Sequence, residues 1–203
     1  MAKNEKIIYY LSYHNMRYFP KISRGSIYLS PVNPEDYEIF TKRWNDSNIT
    51  DMLWASQDII TLNYMRGNID KNKNWEYEFG IIKKDWDKLL WNITLNRIDH
   101  INQTANLWIV IWDINEHNKW YGTDAINALL SYAFNTLNMY SIYLSVREYN
   151  TKAIACYTKC WFKKIGTRHH CTYYNWERYN KFLMEILKPD WQKKNKEILN
   201  TKW

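Results

Sequence analysis

A chain of 203 residues has room for one α/β domain with a sizeable core and is short for two. Hydrophobic residues at 46% and charged residues at 24% exclude a disordered or collagen-like chain, and no run of about eighteen apolar residues exists to span a membrane. The net charge of +7 favours acidic partners such as phosphates, and three Cys without a paired framework point to a reduced, cytoplasmic protein. The first thirteen residues show no signal-peptide cleavage pattern.

The lead-in over 1–24 is rich in Tyr and declares no element. Residues 26–32 alternate and read as a strand. Asn33-Pro34-Glu35-Asp36 then supplies an N-cap, a proline at the first helical position and two acids in the first turn, opening a helix to about Trp44. A second helix is expected over 56–66. From Glu76 the apolar period becomes two, giving strands over 76–84 and 88–99 around Asp85-Trp86-Asp87, and another over 105–112 after the loop 100–104. Ile126, Leu129, Leu130, Ala133, Phe134 and Leu137 recur at three and four, which makes 123–137 a helix. A strand over 141–147, a helix over 151–160 and strands over 164–174 and 178–187 complete the order β-α-α-β-β-β-α-β-α-β-β. With no repeat or linker, the chain divides into an N-terminal extension (1–24), one domain (25–188) and a basic tail (189–203) that is either solvated or a frayed helix.

Two motifs carry chemistry. The first runs through Ile109, Val110, Ile111, Trp112 and Asp113, then a short loop, then His117-Asn118-Lys119-Trp120-Tyr121-Gly122-Thr123-Asp124 opening a helix. A loop between a strand end and a helix N-terminus exposes unpaired N–H groups at the positive end of the helix dipole, an arrangement that binds phosphate. The second, Asn150-x-x-Ala153-x-x-x-Tyr157-x-x-Cys160-x-Phe162, sets an Asn after a strand and a Tyr on the next helix.

At this separation and in this element order, the pair resembles the GNAT superfamily of N-acetyltransferases, whose loop reads Gln/Arg-x-x-Gly-x-Gly/Ala. The likeness spans 26–187, and the text of 106–113, 121–124 and the last hairpin is most similar to the branch of ribosomal-protein N-terminal acetyltransferases and spermidine acetyltransferases. It implies an α/β (α+β), acyl-CoA N-acyltransferase fold: a mixed, mostly antiparallel sheet of about seven strands flanked by about four helices. It also implies acetyl transfer from acetyl-CoA, as co-substrate, to a primary amine by direct attack in a ternary complex, without a metal. By position, Ile109, Val110 and Ile111 would offer edge-strand backbone to the pantetheine arm. His117, Asn118, Lys119, Trp120, Tyr121 and Gly122 would cradle the diphosphate, Asn150 would hold the cofactor, and Tyr157 would protonate the departing thiolate. His117 replaces the usual Gln or Arg, and Ser145 stands where N-terminal acetyltransferases often carry Glu. The base therefore stays open among water, Asp99, His100 and Glu148.

Twelve Trp against five Gly inverts ordinary usage, in which Gly is about 7% of residues. Asp85-Trp86 and Asn175-Trp176 lie between alternating strands, where a two-residue hairpin favours Asn-Gly or Asp-Gly; Trp there costs about 1–2 kcal/mol of backbone strain. Trp161 follows a helix that a left-handed Gly would commonly end, and Trp120 stands where backbone must approach a diphosphate. Trp91 and Trp108 are strand positions where the resemblance suggests Gly. A single cause covers all six: the codon UGA, read as Trp in one genetic code and as Gly in another. The plain alternative is a Trp-rich protein that uses indoles for packing or stacking. Trp44, Trp75, Trp112 and Trp191 raise no such conflict.

Other groups weigh less. Cys156, Cys160, His169, His170 and Cys171 include no Cys-x-x-Cys pair, and adjacent His residues on a strand face opposite ways, so no metal is expected. A reading from another class is a basic, aromatic-rich module stacking on single-stranded nucleic acid, but no strand alternates basic with aromatic residues. A catalytically dead CoA-binding homologue is a variant of the enzyme reading. The acceptor is expected to be a peptide α-amine first and a spermidine-like amine second; no membrane partner is expected, and a homodimer is compatible with the chain.

Overall fold

The computed structural model describes residues 17–50, 58–69, 77–111 and 120–200. Eight strands form one sheet: β1 (Ile22–Arg24), β2 (Ile27–Pro31), β3 (Tyr77–Lys83), β4 (Lys88–Asp99), β5 (Thr104–Ile111), β6 (Ser141–Arg147), β7 (Lys163–Tyr174) and β8 (Glu177–Leu187). Their order is β1-β2-β3-β4-β5-β6-β8-β7, and every pairing is antiparallel except β5 with β6. The helices are α1 (Tyr37–Trp44), α2 (Ser47–Thr50), α3 (Leu62–Ile69), α4 (Tyr121–Asn135), α5 (Thr151–Lys159) and α6 (Lys188–Asn200). The expected mixed sheet is present, with the short β1 as an additional edge strand.

The reversal before α1 follows its sequence signal. The Asn33 side chain accepts a hydrogen bond from the Glu35 N–H at 3.0 Å, and Pro34 opens a 3-10 turn leading into the helix. Asp36, 1% exposed, then ties the lead-in down: Arg17 donates to its carboxylate through Nε at 3.1 Å and through Nη2, and the Tyr18 hydroxyl donates at 3.2 Å. Burial pushes the Tyr18 phenol up to about 12. Residues 17–24 therefore belong to the folded unit.

The core lies between one sheet face and α4. Ile126, Leu129, Leu130, Ala133 and Phe134, spaced three and four apart, are fully buried. They meet the β3–β5 face that carries Phe79, Ile81, Ile93, Leu95, Ala105 and Leu107, and Tyr132 meets Tyr77 and Phe79 edge-on. The basic C-terminal segment forms a helix, and buried Trp191 holds it against Phe134 at a centroid distance of 5.4 Å.

Helix α3 begins later than the expected 56–66; residues 51–57 lie outside the described set, and an additional short α2 precedes them. The β3–β4 connection also differs. It is a four-residue turn over 84–87 whose left-handed residue is Asp87 (φ 45), so Trp86 is exposed on ordinary backbone and carries none of the expected strain. The Asp87 carboxylate accepts from the Tyr28 hydroxyl at 2.8 Å, fixing that turn to β2.

Gly25, at φ +51 between β1 and β2, faces α4 so closely that a Cβ would lie 2.3 Å from the Asp124 carboxylate, whereas a Cβ on Gly67 in α3 meets nothing within 4 Å. Gly25→Ala should destabilise the protein by more than about 1 kcal/mol, while Gly67→Ala should stabilise it by up to about 1 kcal/mol. Urea-denaturation midpoints of the two variants, shifting in opposite directions, check this.

Candidate functional site

Strands β5 and β6 share only the rungs Thr104↔Ser141, Ala105↔Ile142 and Asn106↔Tyr143. Beyond Asn106 they part. β5 stays bonded to β4 as far as Trp91↔Ile111, and β6 to β8 as far as Arg147↔Lys181. A wedge thus opens inside the sheet, with 107–111 on one wall and 144–147 on the other. The facing main-chain groups have no strand partner across it, which is a template for an extended ligand carrying amides of its own.

Because the two strands are parallel, both run toward the open end of the wedge, and each feeds the N-terminus of a helix: β5 into α4, β6 into α5. Two positive helix ends beside one opening suit an anion. Trp120 forms the N-cap of α4 in the left-handed conformation (φ 66) and is 65% exposed, with the Lys159 ammonium 5.1 Å from its ring centroid. Tyr121 and Gly122 are buried in the first turn. Asn150 caps α5, its side-chain oxygen accepting from the Ala153 N–H at 3.2 Å. Helices α4 and α5 meet through Thr123, whose Oγ1 lies 3.7 Å from the Cys156 Sγ. Cys156 and Cys160, one helical turn apart, act on each other so that the first thiol is lowered and the second, with burial, raised.

Among the residues singled out by sequence, Ile109, Val110 and Ile111 lie on the β5 wall, and Trp120, Tyr121, Gly122 and Asn150 lie at the helix starts. Residues His117, Asn118 and Lys119 fall outside the described set, as does Trp112 at the expected end of β5. Tyr157 lies on α5, 8% exposed, edge-on to Phe162 at 6.0 Å. Burial, then the neighbouring Cys156 and Cys160, push its phenol up, so it keeps its proton at neutral pH.

Two of the open candidates for a base, Asp99 and Glu148, are hydrogen-bonded elsewhere. Asp99 accepts from the Ile101 and Asn102 N–H groups at 2.9 and 2.8 Å, bonds that lower its pKa and fix the β4–β5 turn. Glu148 accepts from the Asn180 backbone and side chain, which ties β6 to β8. His100 is exposed on the Asp99 turn. Among the described residues no group of three or more His, Cys, Asp or Glu could hold a metal.

Sequence reasoning missed a polar stripe on the sheet face opposite α4. By register, Glu78 of β3, Asn92, Thr94 and Asn96 of β4, and Asn106 of β5 share that face, where Trp108 also stacks on Trp44 of α1 (5.9 Å, 8°). Asn92 is 3% exposed; its Nδ2 donates to the Glu78 carboxylate at 2.7 Å, while its Oδ1 and the buried Asn96 Oδ1 have no partner among the described residues. These two acceptors share the face of the Glu78 carboxylate. The stripe reaches the fork, since Asn106 pairs with Asn96 on one side and with Tyr143 on the other.

Comparison with known proteins agrees with this geometry. The model of the acetyltransferase (GNAT) domain matches residues 26–163. The chain is 24% identical over 174 residues to the spermidine N(1)-acetyltransferase of Escherichia coli strain K12, covering 86% of this chain and 92% of that protein. It is 23% identical over 160 residues to the N-acetyltransferase YnaD of Bacillus subtilis, covering 77% and 91%. Its fold superposes on the spermidine N-acetyltransferase of Vibrio cholerae in complex with CoA and spermine with a TM-score of 0.74 at 23% identity, covering 82% and 98%. The wedge, the helix starts at its mouth and the matched domain lead to one conclusion: this chain belongs to the GNAT acetyltransferase family and is an acyltransferase.

Proposed function

We propose that this protein moves an acetyl group from acetyl-CoA to a primary amine of a polyamine-like substrate. The observation that carries the reading is the wedge between β5 and β6, open at the end where α4 and α5 begin. The pantetheine arm, with its two amides, lies along Ile109, Val110 and Ile111 as an added strand would. The diphosphate sits at the start of α4 against the segment from His117 to Gly122, with Asn150 on the opposite lip.

The amine enters from the other face. A protonated amine brings three donors and a charge, matching the two unpaired Asn oxygens and the Glu78 carboxylate. After losing a proton to solvent water, the nitrogen attacks the thioester carbonyl while a main-chain N–H of the open β5 edge polarises its oxygen. The C–S bond breaks, the thiolate takes the proton of the Tyr157 hydroxyl, and the second proton released by the nitrogen as the amide forms restores the phenol by way of solvent. A polyamine is preferred over the peptide α-amine because relatives covering most of the chain are named for spermidine and because the stripe sets the Glu78 carboxylate and two unpaired Asn oxygens on one face. The nucleic-acid reading has no such support.

A panel of amines assayed for free-thiol release from acetyl-CoA tests this: spermidine-like amines should release thiol faster than a peptide N-terminus, and the reverse order would overturn the substrate reading. Tyr157→Phe should lower kcat about 10²- to 10⁴-fold with the KM for acetyl-CoA unchanged. Glu78→Gln should raise the amine KM roughly ten- to a hundredfold and leave the acetyl-CoA KM alone, read from paired substrate titrations.

A further inference from the structure

Ten described residues have positive φ: Gly25, Asp87, Arg97, Gln103, Trp120, Asn138, Trp161, His170, Asn175 and Trp176. One is glycine and three are tryptophan. Twelve Trp scattered at random over 203 positions would put fewer than one among these ten. Of the other six, Asp87, Asn138, Asn175 and His170 are types enriched in the left-handed region and Arg97 and Gln103 are not, while a residue as bulky as Trp adopts it only as an outlier.

Two of the three Trp, Trp161 and Trp176, sit where a specific backbone motif calls for the conformation. Trp161 (φ 69) follows the α5 C-cap Cys160; its N–H bonds the Thr158 carbonyl at 2.9 Å, and the Phe162 N–H bonds the Tyr157 carbonyl at 3.0 Å. Those two bonds define the Schellman ending, whose left-handed residue is usually glycine. Asn175 (φ 47) and Trp176 (φ 66) form the two-residue β7–β8 hairpin with positive φ at both centres, the turn that selects Asn-Gly. Trp120 (φ 66) caps α4 at the mouth of the wedge. The indoles of Trp176 and Trp120 are 88% and 65% exposed, and that of Trp161 is partly buried against the edge of the core. Trp191 and Trp44 differ: one is buried on Phe134, the other stacked on Trp108, both on ordinary helical backbone.

We infer that the working protein carries glycine at positions 120, 161 and 176, encoded by UGA and translated there as glycine rather than tryptophan. Trp86, Trp91 and Trp108 stand on backbone without positive φ, so the backbone argument does not extend to them. The inference stands on the chain's own conformation and holds whatever the enzyme's acceptor is. For the site, glycine at 120 removes an indole from the opening and lets a ligand approach the α4 backbone.

The test is peptide mass spectrometry of the protein from its natural host, read with its gene. The expected result is UGA at codons 120, 161 and 176, glycine in the corresponding peptides, and UGG at Trp44 and Trp191. Tryptophan in the peptides spanning 161 and 176, or UGG at those codons, overturns the inference. A recombinant comparison reads the same physics: the Trp161→Gly/Trp176→Gly variant should melt roughly 5 °C or more above the chain with Trp. An unchanged or lower Tm would contradict it. Trp120→Gly should tighten CoA binding at least about tenfold by calorimetry, and an unchanged affinity would remove position 120 from the proposal.

Discussion

The fold turns on how little β5 and β6 share. Three rungs hold them together, and past Asn106↔Tyr143 each strand keeps only its outer neighbour. Strand edges inside a sheet are costly when their N–H and C=O groups find no partner. Here both edges are stiff, because β4 and β8 back them along their whole length, and α4 packs beneath the β3–β5 side with its fully buried apolar stripe. The result is a slot with fixed walls rather than a flexible loop. A ligand with amides in line can complete it, and a helix start at each wall's end supplies positive potential for a phosphate.

Much of this was legible in the chain. The α4 stripe announced itself because apolar residues at three and four spacing have one use, and Asn33-Pro34 marked its helix because capping is local chemistry. The slot itself was not written in any short segment. Parallel pairing between residues 104–106 and 141–143 is a contact across nearly forty residues, and only the resemblance of the two motifs to an acetyltransferase family placed it. Of the motif residues that the structure describes, Ile109, Val110 and Ile111 lie on β5 and Trp120, Tyr121, Gly122 and Asn150 at the starts of α4 and α5, and the domain match shows the family the motifs suggested.

The polar stripe escaped for an instructive reason. Asn92, Thr94 and Asn96 alternate with apolar neighbours, which ordinarily means a strand with one wet face. In a central strand covered on both faces, that pattern means a buried polar surface, and only the sheet order shows that β4 is central. Trp86 misled in the opposite direction. The sequence suggested a two-residue hairpin, but the turn takes four residues and moves the left-handed position to Asp87. At Asn175-Trp176 the same local rule gave the right turn, because there the strands close on two residues.

Amide hydrogen exchange across the slot tests the central claim most directly. With glycine at position 120, the amides of 107–111 and 144–147 that face the slot should exchange quickly in the free protein and become protected when CoA is added, while those bonded to β4 and β8 stay slow throughout. Protection of the slot-facing amides before any ligand is added, or no change on saturating CoA, would contradict the account.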